Sequence, residues 1–156
     1  VIFTVVAIYT VDRFGRKPLL IIGGLIMSAA MTAIGFNFLK GNMGYTALFF
    51  IMIYIAGFAM SWGPVMWVVL SEIFPNSIRG AMSLATATVW VTDLIISWSF
   101  PVLDGNAFLV EKFNHGFAYW LYAIICILAV LFVWKKVPET KGRSLEEMEI
   151  LWKKRS

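Results

Sequence analysis

The chain has 156 residues, of which 60% are hydrophobic and 14% charged, with a mean hydropathy of +0.82 and a formal net charge of +4. A water-soluble domain carries about 25% charged and 45–50% apolar residues, so a dissolved globular enzyme or carrier is excluded. The basic excess is confined to particular connecting segments, a membrane-protein pattern, and nucleic acid is not needed to explain it.

The charges bound the elements. Residues 18–39 and 45–71 contain no charged residue, residues 81–103 contain only Asp93, and residues 117–134 contain none. A membrane span needs about 20 predominantly apolar residues, and lipid offers the backbone no hydrogen-bonding solvent, so each stretch is expected to be a helix. The chain opens on residues 1–11, VIFTVVAIYTV, an apolar run of about half a span without the basic leader or cleavage site of a signal peptide. It reads as the end of a helix cut within the membrane. The segment from Asp12 to Pro18 is a tight turn, in which Gly15 permits a left-handed backbone and Pro18 suits a first helical turn.

The first full span, about 18–39, holds Gly23, Gly24, Ser28, Ala29, Ala30 and Gly35, small residues that let helices approach closely in lipid. The second, about 45–71, is interrupted by Gly63-Pro64, where proline removes a backbone hydrogen bond and kinks the helix. The third, about 81–103, carries the lone acid. A polar connection over 104–116 holds the single histidine, His115, and leads to the fourth span, about 117–137. Residues 138–156 form a tail in which Ser144 and Glu147 match a capping box, with Leu145, Met148, Leu151 and Trp152 at helical spacing. The expected fold class is therefore an all-α polytopic membrane protein, with a partial transmembrane bundle over 1–137 and a short amphipathic helix in the tail.

Eleven of the 13 Lys and Arg lie in the turn at 12–17, the connection at 72–80 and the tail from Lys135. The positive-inside rule puts these segments, and the C-terminus, in the cytoplasm. Cys126 sits alone in an apolar span, with neither a disulfide partner nor metal-ligand spacing. His115 has no serine or acid arranged with it for nucleophilic catalysis, and no phosphate-binding loop occurs. No enzyme, metal or cofactor is expected.

Two surfaces could carry function. Thr86, Trp90, Asp93 and Ser97 fall at i, i+4, i+7 and i+11, on one helical face. An intramembrane carboxylate points to a wet cavity or to a hydrogen bond with a neighbouring helix. Gly57, Met60/Ser61, Pro64 and Trp67 form a second face, with Trp67 offering a flat apolar surface and one N–H. Helix packing explains the same residues without a ligand. A third set of charges, Asp12, Arg16, Glu72, Arg79 and Glu139, lies at cytoplasmic helix ends, where ion pairs can hold helices together. Lys17, Lys135 and Lys136 need only topology to explain them, whereas Glu72 does not follow from orientation.

Five motifs in register with this topology resemble the sugar porter family of the major facilitator superfamily. They are Asp12-Arg-Phe-Gly-Arg-Lys17, Gly63-Pro-Val-Met-Trp67, Ser71-Glu-Ile-Phe-Pro-Asn-Ser-Ile-Arg-Gly80, Trp90, and Pro138-Glu-Thr-Lys-Gly142. The resemblance implies a twelve-helix protein in two halves. This chain then supplies the end of the eighth helix through the twelfth, and sugar binds between the halves during alternating access. It further implies Gly63, Trp67 and Trp90 as substrate contacts, Arg16, Glu72 and Arg79 as a cytoplasmic ion-pair latch, and Glu139 as an addition to that latch. Asp93 shares the face of Trp90 and joins the expected sugar site.

Two positions depart from the family pattern. Val89 stands where an amide usually precedes the tryptophan, and Asp93 stands where asparagine is expected. The expected function is transport of a monosaccharide, D-xylose or a related pentose or hexose, by proton symport across the inner (plasma) membrane. The expected partners are the sugar, a proton, the lipid bilayer and a missing N-terminal half. Facilitated diffusion, and a transport-inactive membrane sensor of the same fold, are the alternatives.

Overall fold

A computed structural model describes residue 11 and residues 13–41, 44–73 and 79–139, the side chain of Arg79 excepted. Every regular element among them is a helix: α1 Arg16–Leu39, α2 Tyr45–Met60, α3 Trp62–Ile73, α4 Arg79–Asp104, α5 Ala107–Phe113 and α6 Phe117–Lys136. Among the described residues, four helical stretches are long and apolar enough to cross a membrane: α1, α2 with α3, α4 from Gly80, and α6. Residues 1–10, Asp12 and the capping-box tail lie outside the described residues.

Helix α1 is the centre of the bundle and packs against α6 on one side and α2 on the other. Its small residues make this possible. A Cβ placed on Gly23 would strike the side chain of Ser61, one on Gly24 would strike Val130, and one on Gly35 would strike the Trp120 indole. Polar groups then join the close-packed backbones. Ser28 Oγ donates to the Ala123 carbonyl at 3.0 Å, and Trp62 Nε1 donates to the Leu20 carbonyl at 2.9 Å. Without a hydrophobic force between helices in lipid, such packing and hydrogen bonds supply the association. Val11, Leu19, Leu20, Val65, Val69 and Val133 form a buried cluster beside them.

The second span breaks where proline chemistry requires. Pro64 lacks the N–H that would bond the Met60 carbonyl, and its ring crowds that carbonyl. Helix α2 accordingly ends at Met60, one turn before the proline, and α3 restarts at Trp62. Ser61, in the break, is 1% exposed and donates its hydroxyl to the Gly57 carbonyl at 2.8 Å. Gly57 is buried beside it. Gly57 and Ser61, read as possible cavity lining, thus pack the helices together.

The connection at 104–116 contains a helix that alternation of polarity did not reveal. Asn106 caps α5, accepting from the amides of Phe108 and Leu109 at 3.1 and 3.3 Å. Asn114 and His115 follow in the left-handed region, and His115 Nδ1 lies 2.8 Å from Asp104 Oδ1. Helix α4 is the outlier of the bundle. None of residues 80–104 is buried within this chain. Its contacts include a hydrogen bond between Ser99 Oγ and Tyr122 Oη at 2.8 Å, stacking of Phe100 on Tyr122, an edge-on contact of Phe100 with Tyr119, and an approach to α3.

Candidate functional site

Between α3 and α4 lies an open groove of about 540 Å³. Phe58 contributes to its lining from α2. Trp62, Gly63, Met66 and Trp67 come from α3, and Thr88, Val89, Trp90, Thr92, Asp93 and Ile96 come from α4. On α3 these residues recur at i, i+1, i+4 and i+5, the spacing of one helical face. The proline break is what presents this face, because it resets the direction of the span just before Trp62. The four residues expected from the sequence in the sugar site, Gly63, Trp67, Trp90 and Asp93, all line this groove.

The polar stripe read along α4 is only half retained. Trp90 and Asp93 reach the groove, whereas Thr86 and Ser97 do not line it. Thr88, Val89, Thr92 and Ile96 do so instead. The face is thus rotated by part of a turn from the one expected, because its partner α3 approaches from the side of Thr88 and Thr92. Thr86 donates its hydroxyl to the Met82 carbonyl at 2.9 Å. Phe58, Trp62 and Met66 were not foreseen as lining residues, although Trp62 and Met66 stand one residue before Gly63 and Trp67 and so continue the same face.

The groove is mostly an aromatic and aliphatic slot with few polar groups. Thr88 and Thr92 spend their hydroxyl protons on the carbonyls of Leu84 and Thr88, both at 2.8 Å, and keep their oxygens as acceptors. Trp62 Nε1 is committed to Leu20. Trp67 and Trp90 are 38% and 62% exposed, leaving indole surface open to a ligand. Among the described residues nothing pairs with the Asp93 carboxylate, which lies open in the groove rather than buried against another helix of this chain. Gly63 is closely backed: an added Cβ would meet Phe58 Cε1 and the Phe58 carbonyl, each at 3.3 Å. Such a site offers flat C–H-binding faces and a few hydroxyl-binding atoms.

A second groove, of about 620 Å³, lies among α1, α3 and α6. Its lining contains one charged side chain, Lys136, amid residues such as Leu70, Ile73 and Phe132. It is larger but has too few polar groups to orient a hydroxylated molecule.

The charged residues meet at the end of the bundle formed by the start of α1, the end of α3 and residues 137–139. Arg16 grips Glu72 bidentately, with Nε 3.2 Å from both carboxylate oxygens and the second terminal nitrogen 2.9 Å from Oε1. Glu139 reaches the same corner. Its two oxygens accept from the backbone amides of Arg16 and Lys17 at 3.0 and 3.1 Å, satisfying two of the free N–H groups that begin α1. Gly15 precedes that turn at φ 92°, and a Cβ there would crowd Glu139 Oε2 at 2.9 Å. Arg16, Glu72 and Glu139 are therefore brought together, while Asp12 and the Arg79 side chain lie outside the described residues.

Residues 1–152 match the profile of the family described as sugar (and other) transporters. The D-xylose-proton symporter of Escherichia coli strain K12 is 55% identical over 151 residues, covering 96% of this chain and 31% of the symporter. The glucose facilitated diffusion protein of Zymomonas mobilis is 50% identical over 153 residues, covering 97% of this chain and 32% of that protein. Among solved structures, the proton:xylose symporter XylE bound to 6-bromo-6-deoxy-D-glucose superposes with a TM-score of 0.87 at 55% identity, covering 96% of this chain and 32% of that one. The inward-open xylose transporter XylE from E. coli gives 0.85 at 52% identity, covering 96% and 33%. The chain thus spans about a third of the length of the relatives it matches.

Proposed function

The chain belongs to the sugar transporter family, and from that premise we propose that it works as one segment of a longer, multi-pass monosaccharide transporter. The observation that carries this reading is the groove in which Gly63, Trp67, Trp90 and Asp93 meet. Tryptophan faces stack on the C–H surface of a pyranose, and Asp93 and the threonine oxygens accept from its hydroxyls. D-xylose or a related pentose or hexose is the substrate, in keeping with relatives named as D-xylose-proton and arabinose-proton symporters.

In this proposal, the bundle over 1–137 is completed by an N-terminal half embedded in the same bilayer. The two halves rock about the sugar, driven by proton symport. The C-terminus and residues 138–156 lie in the cytoplasm of an inner or plasma membrane, because the basic segments cluster on that side. Arg16, Glu72 and Glu139, with Asp12 and Arg79, form the cytoplasmic latch of one state.

The test is calorimetric titration of D-xylose and D-glucose into the purified complete transporter and its Trp67→Ala and Trp90→Ala variants. Loss of one stacking face should weaken binding by about 1–3 kcal/mol, the scale of burying a large apolar side chain. Unchanged affinity in both variants removes the groove from the sugar site. A second reading, uncoupled facilitated diffusion, is favoured by the 50% identity to the Zymomonas mobilis protein. Uptake that survives collapse of the proton gradient without accumulation selects it.

A further inference from the structure

We infer that the sugar groove is built for a cationic monosaccharide, an amino sugar carrying a protonated primary amine, with Asp93 as the counter-ion. This rests on the proposed transport function and names the substrate class more narrowly. The inventory of the groove is the argument. Among the described residues it is lined by three tryptophans, one phenylalanine and the Asp93 carboxylate, with no Lys, Arg or His. The polar atoms it presents are predominantly acceptors. Thr88 and Thr92 have already donated their protons to backbone carbonyls, the Trp62 N–H is spent on Leu20, and an ionised carboxylate only accepts. Among the described residues, the N–H groups of Trp67 and Trp90 are the donors that remain. An ammonium group, with three donors and no acceptor, is the complement of such a set.

The aromatic faces add to the match. A cation is attracted to the quadrupole of an indole ring, tryptophan being the strongest of the aromatic partners. Trp67 and Trp90 both leave surface open in the same groove as the carboxylate.

Charge balance points the same way. Asp93 is the only charged residue between residues 81 and 103, well within a membrane span. Among the described residues no cation lines the groove beside Asp93, and closing its negative charge away from water unpaired is costly. An ammonium on the substrate cancels that charge as the site closes.

The experiment is competitive binding to the purified complete transporter by D-glucose, D-glucosamine, D-galactosamine and N-acetyl-D-glucosamine, at a pH where the free amines are protonated. An amino sugar should bind more tightly than D-glucose by on the order of tenfold or more, the worth of one hydrogen bond to a charged group. N-acetylation, which removes the charge, should abolish the advantage. In Asp93→Asn the ratio of amino-sugar to glucose affinity should fall to about one, whatever the glucose affinity becomes, and Asp93→Glu should keep the preference. Glucose binding with no amino-sugar advantage, an advantage that persists in Asp93→Asn, or one shared by the N-acetyl sugar overturns the inference while leaving the transport reading intact. Binding of none of these sugars, nor of D-xylose, overturns both.

Discussion

Gly63 shows how narrowly the groove is set. Its position faces Phe58, and the 3.3 Å clearance to both a ring carbon and the Phe58 carbonyl is less than an ordinary Cβ contact. Alanine there would push the Phe58 ring toward the groove, because the carbonyl on the other side belongs to backbone and cannot move as cheaply. Gly63→Ala should therefore still fold, at a stability cost of about 1–3 kcal/mol as for an overpacked core, and should weaken sugar binding. Titration of the complete transporter together with its melting temperature separates the two effects. A lowered melting point with unchanged affinity would mean that Gly63 serves helix packing alone. At this scale the sequence was most informative about chemistry of unusual cost. An acid in a membrane span and a tryptophan on a polar helical face each demand a reason, whereas Gly63 was marked only by the motif resemblance; Gly63, Trp67, Trp90 and Asp93 line one groove. Val65 and Val69 could not have been assigned to the core in this way, because lipid-facing and buried valines look alike in a uniformly apolar span.

Among the elements, α1 and the α2–α3 break depend on each other. Ser61 occupies the break imposed by Pro64, and Gly23 is the residue that lets α1 come against it. Gly23→Ala should destabilise the complete protein by about 1–3 kcal/mol through overpacking. Adding Ser61→Gly removes the atoms that the new methyl would strike, so the pair should lose less than the sum of the single changes. Thermal denaturation in detergent across the four proteins measures this coupling, and strict additivity would show that the two positions do not meet. The helices themselves were legible from charge-free runs, since lipid leaves the backbone no other structure. The exact break was not, because proline acts on the carbonyl four residues earlier and the chain yields at Met60 and Ser61. Helix α5 was also missed. It is only 7 residues long, and its signal was the Asn106 cap rather than a hydrophobic period. Nor could a sequence pattern foretell that α4 would bury nothing within this chain, since its burial depends on what packs against it.

The whole molecule is tied at one end by contacts between residues far apart in sequence. Arg16 opens α1, Glu72 lies in the last turn of α3, and Glu139 follows α6, so three elements converge on one corner. The residue types at helix ends suggested an ion-pair network. That Glu139 would accept from two backbone amides 122 and 123 residues away had no signature in spacing. The carboxylate there also complements the positive end of the α1 dipole, so Glu139 contributes to local helix stability as well as to any latch. Glu72 is the sharper probe of conformation. The Arg16–Glu72 pair is partly shielded, with side chains 14% and 28% exposed, and a bidentate guanidinium–carboxylate contact is among the stronger hydrogen-bonded pairs. Glu72→Lys removes these hydrogen bonds and sets a second cation beside Arg16. If the pair belongs to one state of the transport cycle only, its loss should shift the balance of inward and outward states by about tenfold, equivalent to about 1.4 kcal/mol of differential stability. Labelling of cysteines engineered on the two membrane faces of the complete transporter reads that balance directly. The charge-swapped pair, Arg16→Glu with Glu72→Arg, should bring the labelling ratio back toward the original, which a merely destabilised fold would not do. A ratio unaltered by Glu72→Lys would show that the pair holds α1 to α3 equally in every state, and the latch would have to be sought in charges other than these.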